Sequence, residues 1–370
     1  MKTLLLSLFI AASALGQPVV SLEITSAPIE NLDDYAIAPQ RDGFVFVWTA
    51  GGRLYAARLD AALHIVAAPL VLPLSDSAAE AVRPAIASDG KSVLVAWHER
   101  RAGYGETAYV ALLSGDAQAL LKGPQPMNIT KDGPLATSVD GKYVVYTGDL
   151  RYVFNEDLDT EAGQFIARNL GAALAEDGGV ATVSESSSGH FDCRQICFGK
   201  PCAGPPTPCD ATSTVTFRFG ETTSTFNYAF RIPADTLSTD PFLTWPPAVA
   251  PNGDSYAGLV HLPNTTDVFF PNPLRRITVP VPVLGQTALA GNGSDVLLVW
   301  TSPQLMGIIV RADGSVSEPF PIADSGSQPR VVSVNSNEFA VLYRIDAAQG
   351  ASAIAGRIVQ LQAPRRRGVR

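Results

Sequence analysis

Long hydrophobic runs are missing from this 370-residue chain. Beyond the first sixteen residues nothing approaches the roughly eighteen uninterrupted apolar residues that a membrane-crossing helix requires. Charge is scarce as well. Charged side chains make up 17% against 46% hydrophobic, which excludes a self-repelling disordered chain and leaves ample material for a core. A basic stripe is absent. Setting aside Lys2, Arg365, Arg366, Arg367 and Arg370 leaves 22 of the 27 bases against 35 acids, a net −13, and so acidic a body excludes a surface that tracks nucleic-acid phosphates. There is no G-x-S-x-G, no H-E-x-x-H and no phosphate-cradling glycine loop, so three common catalytic frameworks are missing and neither metal nor cofactor is implied.

What is present begins with a cation, an apolar run and small residues over 1–16, followed by Gln17-Pro18, the pattern of a secretory signal peptide cut after Gly16. A secreted or periplasmic product follows, with the leader removed. The closing 362–370 reads as a basic tail.

Between these ends one phrase recurs. In Pro84-Ala85-Ile86-Ala87-Ser88-Asp89-Gly90-Lys91-Ser92-Val93-Leu94-Val95-Ala96-Trp97 a short apolar strand meets an Asp-Gly turn, and a second strand ends on a large aromatic. The turn residues Gly43, Gly90, Gly141, Gly178, Gly253, Gly293 and Asn337 mark its successive copies. The last copy supplies only three strands, whereas Val19 to Thr25 reads as a strand with no hairpin partner. A ring whose last sheet is completed by the first strand leaves no open edge, so the spare strand and the missing one are the same strand.

Four-strand repeats with an Asp/Asn-Gly turn and a terminal aromatic resemble the seven-bladed β-propellers of secreted bacterial proteins. The resemblance implies an all-β seven-bladed β-propeller of four-stranded antiparallel blades over 17–361, the last blade closed by the N-terminal strand. It is to an architecture and names no activity. Trp48, Trp97 and Trp300 are followed by Thr, His and Thr, so the Trp-Asp dipeptide of intracellular propellers is absent, as is the Ser-x-Asp-x-Gly-x-Thr-Trp box of sialidases.

All four cysteines, Cys193, Cys197, Cys202 and Cys209, fall in an interruption of the fourth repeat over 184–213. In an exported chain such an even cluster reads as two disulfides stapling a polar loop; its spacings miss the paired knuckles of zinc sites. The residues after the terminal aromatics converge on one face of a ring, namely Thr49, His98, Thr147, Ser184, His261, Thr301 and Arg344, and polar groups are expected there because strands end in solvent. His98-Glu99-Arg100-Arg101, Asp149, Glu185, His261 and Arg344 are therefore the candidate ligand-binding set. Asp157-Leu158-Asp159 reads as an acidic turn. The function that follows is a monomeric binding or interaction scaffold for an unknown protein or glycan. The alternative is a secreted enzyme on glycans or another polymer, using His98, Glu99, Glu185 and His261.

Overall fold

A computed structural model describes residues 18–25, 29–103, 105–129, 134–139, 141–147, 150–165, 171–174, 180–189, 209–219, 222–232, 248–252, 255–262, 265–271, 274–280, 286–347 and 351–361. Every regular element among them is a β-strand. The leader, the basic tail, Asp149 and Cys193, Cys197 and Cys202 lie outside the described residues.

After β1 (Val19–Val20) and β2 (Ile24–Thr25), an antiparallel meander is built from β3 (Leu32–Gln40), β4 (Gly43–Ala50), β5 (Arg53–Asp60) and β6 (Leu70–Leu72). A second consists of β7 (Glu80–Ser88), β8 (Ser92–Arg100), β9 (Thr107–Ser114) and β10 (Leu120–Ile129). The third comprises β11 (Leu135–Val139), β12 (Lys142–Thr147), β13 (Leu150–Phe154) and β14 (Thr160–Phe165), and the fourth β15 (Gly171–Leu174), β16 (Val180–Gly189), β17 (Cys209–Phe219) and β18 (Thr222–Ile232).

An eight-stranded sheet follows. One half contains β19 (Ala248–Asn252), β20 (Ser255–His261), β21 (Thr266–Pro271) and β22 (Leu274–Val279). The other contains β23 (Thr287–Gly291), β24 (Asp295–Ser302), β25 (Gln304–Arg311) and β26 (Phe320–Ala323). The halves meet through one parallel pair, Asn252 with Gly291, where a Cβ on the glycine would run into the Asn252 side chain. The last sheet holds β27 (Ser327–Asn335), β28 (Glu338–Asp346) and β29 (Ser352–Gln360), and β1 and β2 pair with the outer edge of β29. The N-terminal strand thus completes the last sheet, as the spare-strand argument requires.

First strands touch in sequence: β3 meets β7, β7 meets β11, and so on through β15, β19, β23 and β27, which returns to β3. This is a propeller-like all-β fold. Its second strands explain themselves. From Phe44 to Ala50 and from Val93 to Glu99 every residue is buried, because each sheet is covered on both faces by its neighbours. Alternate residues then serve alternate cores. Val45 and Val47 pack with Val95 and Trp97 of the second sheet, whereas Phe44, Phe46 and Trp48 pack with Ala340, Leu342 and Ile354 of the last. The second of these cores joins the end of the chain to its beginning. A buried side chain of this size contributes about 1.5–3 kcal/mol, so the shared cores dominate the stability of the ring.

Turns between first and second strands add polar staples to the next sheet. Gln40 donates through Nε2 to Gly115 O (2.8 Å) and accepts from Ser88 Oγ (2.9 Å), Asn252 Oδ1 accepts from Gly293 N (2.7 Å), and Asn292 Nδ2 donates to Ser336 O (2.8 Å). The fourth sheet differs most from the sequence reading. Its β16 and β17 stay paired out to Gly189 with Ala211, well past the expected opening of the cysteine loop at 184, so only 190–208 lie between the two strands. Polar residues over Ser184 to Gly189 conceal this extension, because a strand without an apolar face carries no period-two signal.

Candidate functional site

First strands begin and second strands end on the same face, as the pairs Asp34 with Thr49, Val82 with His98 and Ser327 with Arg344 show. The expectation of solvated polar ends fails here. Thr49, His98, Thr147 and His261 are all buried, because neighbouring sheets cover the strand ends. Most of these side chains act as joints. Thr49 Oγ1 accepts from Asp34 N (3.2 Å), Thr301 Oγ1 accepts from Gln286 N (3.1 Å), and Arg344 donates to Leu32 O (3.0 Å) in the first sheet and to Ser352 Oγ (2.7 Å).

The His98-Glu99-Arg100-Arg101 run divides between two faces of β8. His98 lies 3.3 Å from Glu106 Oε2 through Nδ1 and 3.3 Å from Thr147 Oγ1 of the third sheet through Nε2. Glu106 also receives Arg100 (2.9 Å) and Arg83 (2.6 Å). Burial pushes the Glu106 carboxyl up, but hydrogen bonds from Arg100 and His98 and the charge of Arg83 outweigh it and hold it below the ordinary value. Glu99 faces the other way. Its carboxylate accepts from Ser75 N (2.9 Å) and Trp97 Nε1 (3.2 Å), pinning the connection between the first two sheets, while Arg101 donates to Ser75 Oγ (2.7 Å). His98 and Glu99 cannot act as a pair.

His261 ends β20 in a different sheet, and its Nδ1 is buried with no hydrogen-bond partner among the described residues. Desolvation lowers its pKa from 6.5 to about 4. Glu185 sits in β16 opposite Val215, and Cys209 opens β17 opposite Ile232; the side chains of both, with Asp149, lie outside the described residues. No cluster of three or more His, Cys, Asp or Glu that could hold a metal occurs among the described residues. Asn155 to Asp159 forms the acidic turn, with Asn155 Oδ1 accepting from the backbone of Asp157 and Asp159 (2.9 Å each).

The candidate site lies elsewhere on this face. A cleft of about 410 Å³ is lined by Asp33, Asp34, Gln286, Thr287, Gln328, Pro329 and Arg330, where the first strands β3, β23 and β27 begin. Its walls are tied across the joints of the last sheet with the first and with the eight-stranded sheet. Arg330 donates to Asp34 Oδ1 (2.8 Å) and Tyr35 O (3.2 Å) and lies over the Tyr35 ring (5.4 Å); Tyr35 Oη donates to Gln328 O (2.5 Å), and Gln328 N to Gln286 Oε1 (2.5 Å). Burial pushes the Tyr35 phenol well above its ordinary value, so it stays a donor. Gln328 holds φ +49°, a left-handed backbone that side chains avoid, and its Oε1 is buried without a partner among the described residues. Sequence reasoning missed all seven residues because it looked at the ends of second strands. A signal existed: Asp34 and Gln328 both lie nine residues before their turn residues, Gly43 and Asn337.

No protein-family model matches the chain, and no curated protein sequence matches it. Among solved structures, a protein of unknown function from Dyadobacter fermentans is similar at 12% identity and TM-score 0.50, covering 94% of this chain and all of the other. A Penicillium chrysogenum α-L-arabinanase complexed with arabinobiose shares 10% identity with TM-score 0.48, covering 92% and 98%, and Kluyveromyces lactis Hsv2 10% with 0.45, covering 91% and 98%. Likeness at such identities concerns the fold alone.

Proposed function

We propose that the chain is an exported, seven-bladed propeller, each half of the eight-stranded sheet being one blade, that serves as a binding scaffold with its ligand site in the cleft at the starts of β3, β23 and β27. One observation carries this reading: the cleft gathers exposed and half-buried polar residues from three sheets, while His98, Glu99 and His261 are each buried in a separate setting. Recognition needs convergent polar groups in a concavity. General acid and base work needs titratable groups aimed at one point, and His98, Glu99 and His261 are not so aimed. The leader over 1–16, the two disulfides among the four cysteines and the monomeric state belong to the same proposal.

The test is a variant that fills the cleft. Thr287→Tyr leaves the β23 ladder intact and is expected to keep the far-ultraviolet spectrum while abolishing binding of whatever small polar ligand the purified protein takes up from a panel. Ligand binding unaffected by Thr287→Tyr places the site elsewhere. Release of reducing ends from a polysaccharide, lost in the same variant, replaces the scaffold with the enzyme reading.

A further inference from the structure

Resting on the reading that this cleft is the ligand site, we propose that it recognises an organic cation bearing N–H donors, an ammonium or guanidinium group. The cleft holds two carboxylates and one cation, and the cation is already committed. Arg330 spends Nη2 on Asp34, Nε on Tyr35 O and Nη1 on Pro329 O (3.2 Å), with its face over the Tyr35 ring. It is a joint between the last and first sheets more than a ligand group. Asp33, exposed at the rim, has no ion-pair partner among the described residues. The lining itself therefore carries two acids and one base, with Arg344 beside it on Leu32 O, on a body that is strongly acidic.

The open hydrogen-bonding capacity is of one kind. Asp33 offers its carboxylate, and Asp34 Oδ2 accepts from no described residue while Oδ1 takes Arg330 and Tyr35 N (2.8 Å); Gln328 Oε1 also lacks a donor among the described residues but is buried. Carboxylates facing an anion would repel it; a donor-rich cation satisfies both. The backbone at Gln328 sharpens the point. A glycine would hold φ +49° without strain, yet a glutamine stands there, donating through Nε2 to Asp33 O (3.5 Å) and so holding the backbone of the rim carboxylate. The same cation could be a free polyamine or the end of a basic side chain in a peptide, and the chemistry required of the cleft is common to both.

Isothermal titration of the purified protein would compare agmatine, spermidine and Nα-acetylarginine amide with maltotriose and sulfate. The cations are expected to bind, more weakly as salt is raised, and about tenfold or more weakly in Asp33→Asn. Gln328→Gly is expected to weaken binding while the melting temperature holds or rises, a split that a merely structural glutamine would not produce. Stronger binding of agmatine and spermidine than of the capped arginine identifies a free amine; equal binding identifies a side chain. Cations that fail to bind, or bind Asp33→Asn equally well, overturn the inference. Maltotriose or sulfate binding that is lost in Thr287→Tyr overturns the cation while leaving the site in place. Binding indifferent to Thr287→Tyr removes the site itself.

Discussion

His261 is an imidazole held neutral by its surroundings. It is 1% exposed, Nδ1 lacks a partner among the described residues, and desolvation brings its pKa to about 4 from 6.5. In the unfolded chain the ring takes its proton near pH 6.5. Between these values the unfolded state binds more protons, so the contribution to stability falls as pH drops from 6.5 to 4, by roughly 3 kcal/mol in all. Above pH 6.5 the ring is neutral in both states and contributes no slope. His261→Gln is expected to flatten the decline in unfolding free energy across pH 6.5 to 4 measured by urea titration; an unchanged slope would show that the ring is not desolvated. Nothing in the sequence separates His261 from His98. Both follow the second strand's apolar run, yet one lies between Glu106 and Thr147 and the other meets no polar group at Nδ1, a difference made by neighbours far away in the chain.

The N-terminal strand is the element whose removal tells most. β1 and β2 cover the edge of β29, with Ser21 N donating to Ile358 O (2.9 Å), Ile358 N to Ser21 Oγ (2.9 Å) and Arg357 Nη1 to Ser21 O (2.9 Å). Between the two short strands Glu23 accepts from Tyr343 Oη and lies 3.6 Å from Arg357. At about 1 kcal/mol for each hydrogen bond, plus the cover that Val20 gives to the core beside β29, the latch contributes several kcal/mol. A chain beginning at residue 28 is expected to melt at lower temperature and to self-associate through the bare edge of β29, and a peptide of residues 17–27 is expected to restore both. An unchanged melting temperature would mean that the ring closes without its latch.

At the scale of the molecule the joint between last and first sheets decides whether the ring behaves as one body. An open repeat array can fray from its ends, because each unit touches only its neighbours; a closed one has no end. Tyr35, fully buried, crosses this joint by donating to Gln328 O. Tyr35→Phe strands that carbonyl and is expected to cost about 1–2 kcal/mol. In a scanning calorimeter the whole transition should move down as a single peak. Two peaks, only one of them shifted, would show that the sheets unfold independently and that the joint couples nothing.

Much of this architecture follows from the order of residues alone. Asp-Gly and Asn-Gly turns between apolar runs specify local hairpins, and β1 with β2 could be assigned to the last sheet because an unpaired strand and an unfilled edge are complementary wherever they lie in the chain. Those are local or topological constraints. The contacts across sheets are neither. Glu99 turned to Ser75, Glu106 gathered Arg83, His98 and Arg100, and Gln328 met Asp33 and Tyr35 from the opposite end of the chain, all through packing of sheets about a ring. A second strand alternates its side chains between two different neighbours, so adjacent residues such as His98 and Glu99 enter different chemistries. The repeat determines that alternation, but only the closed ring decides what stands on either side.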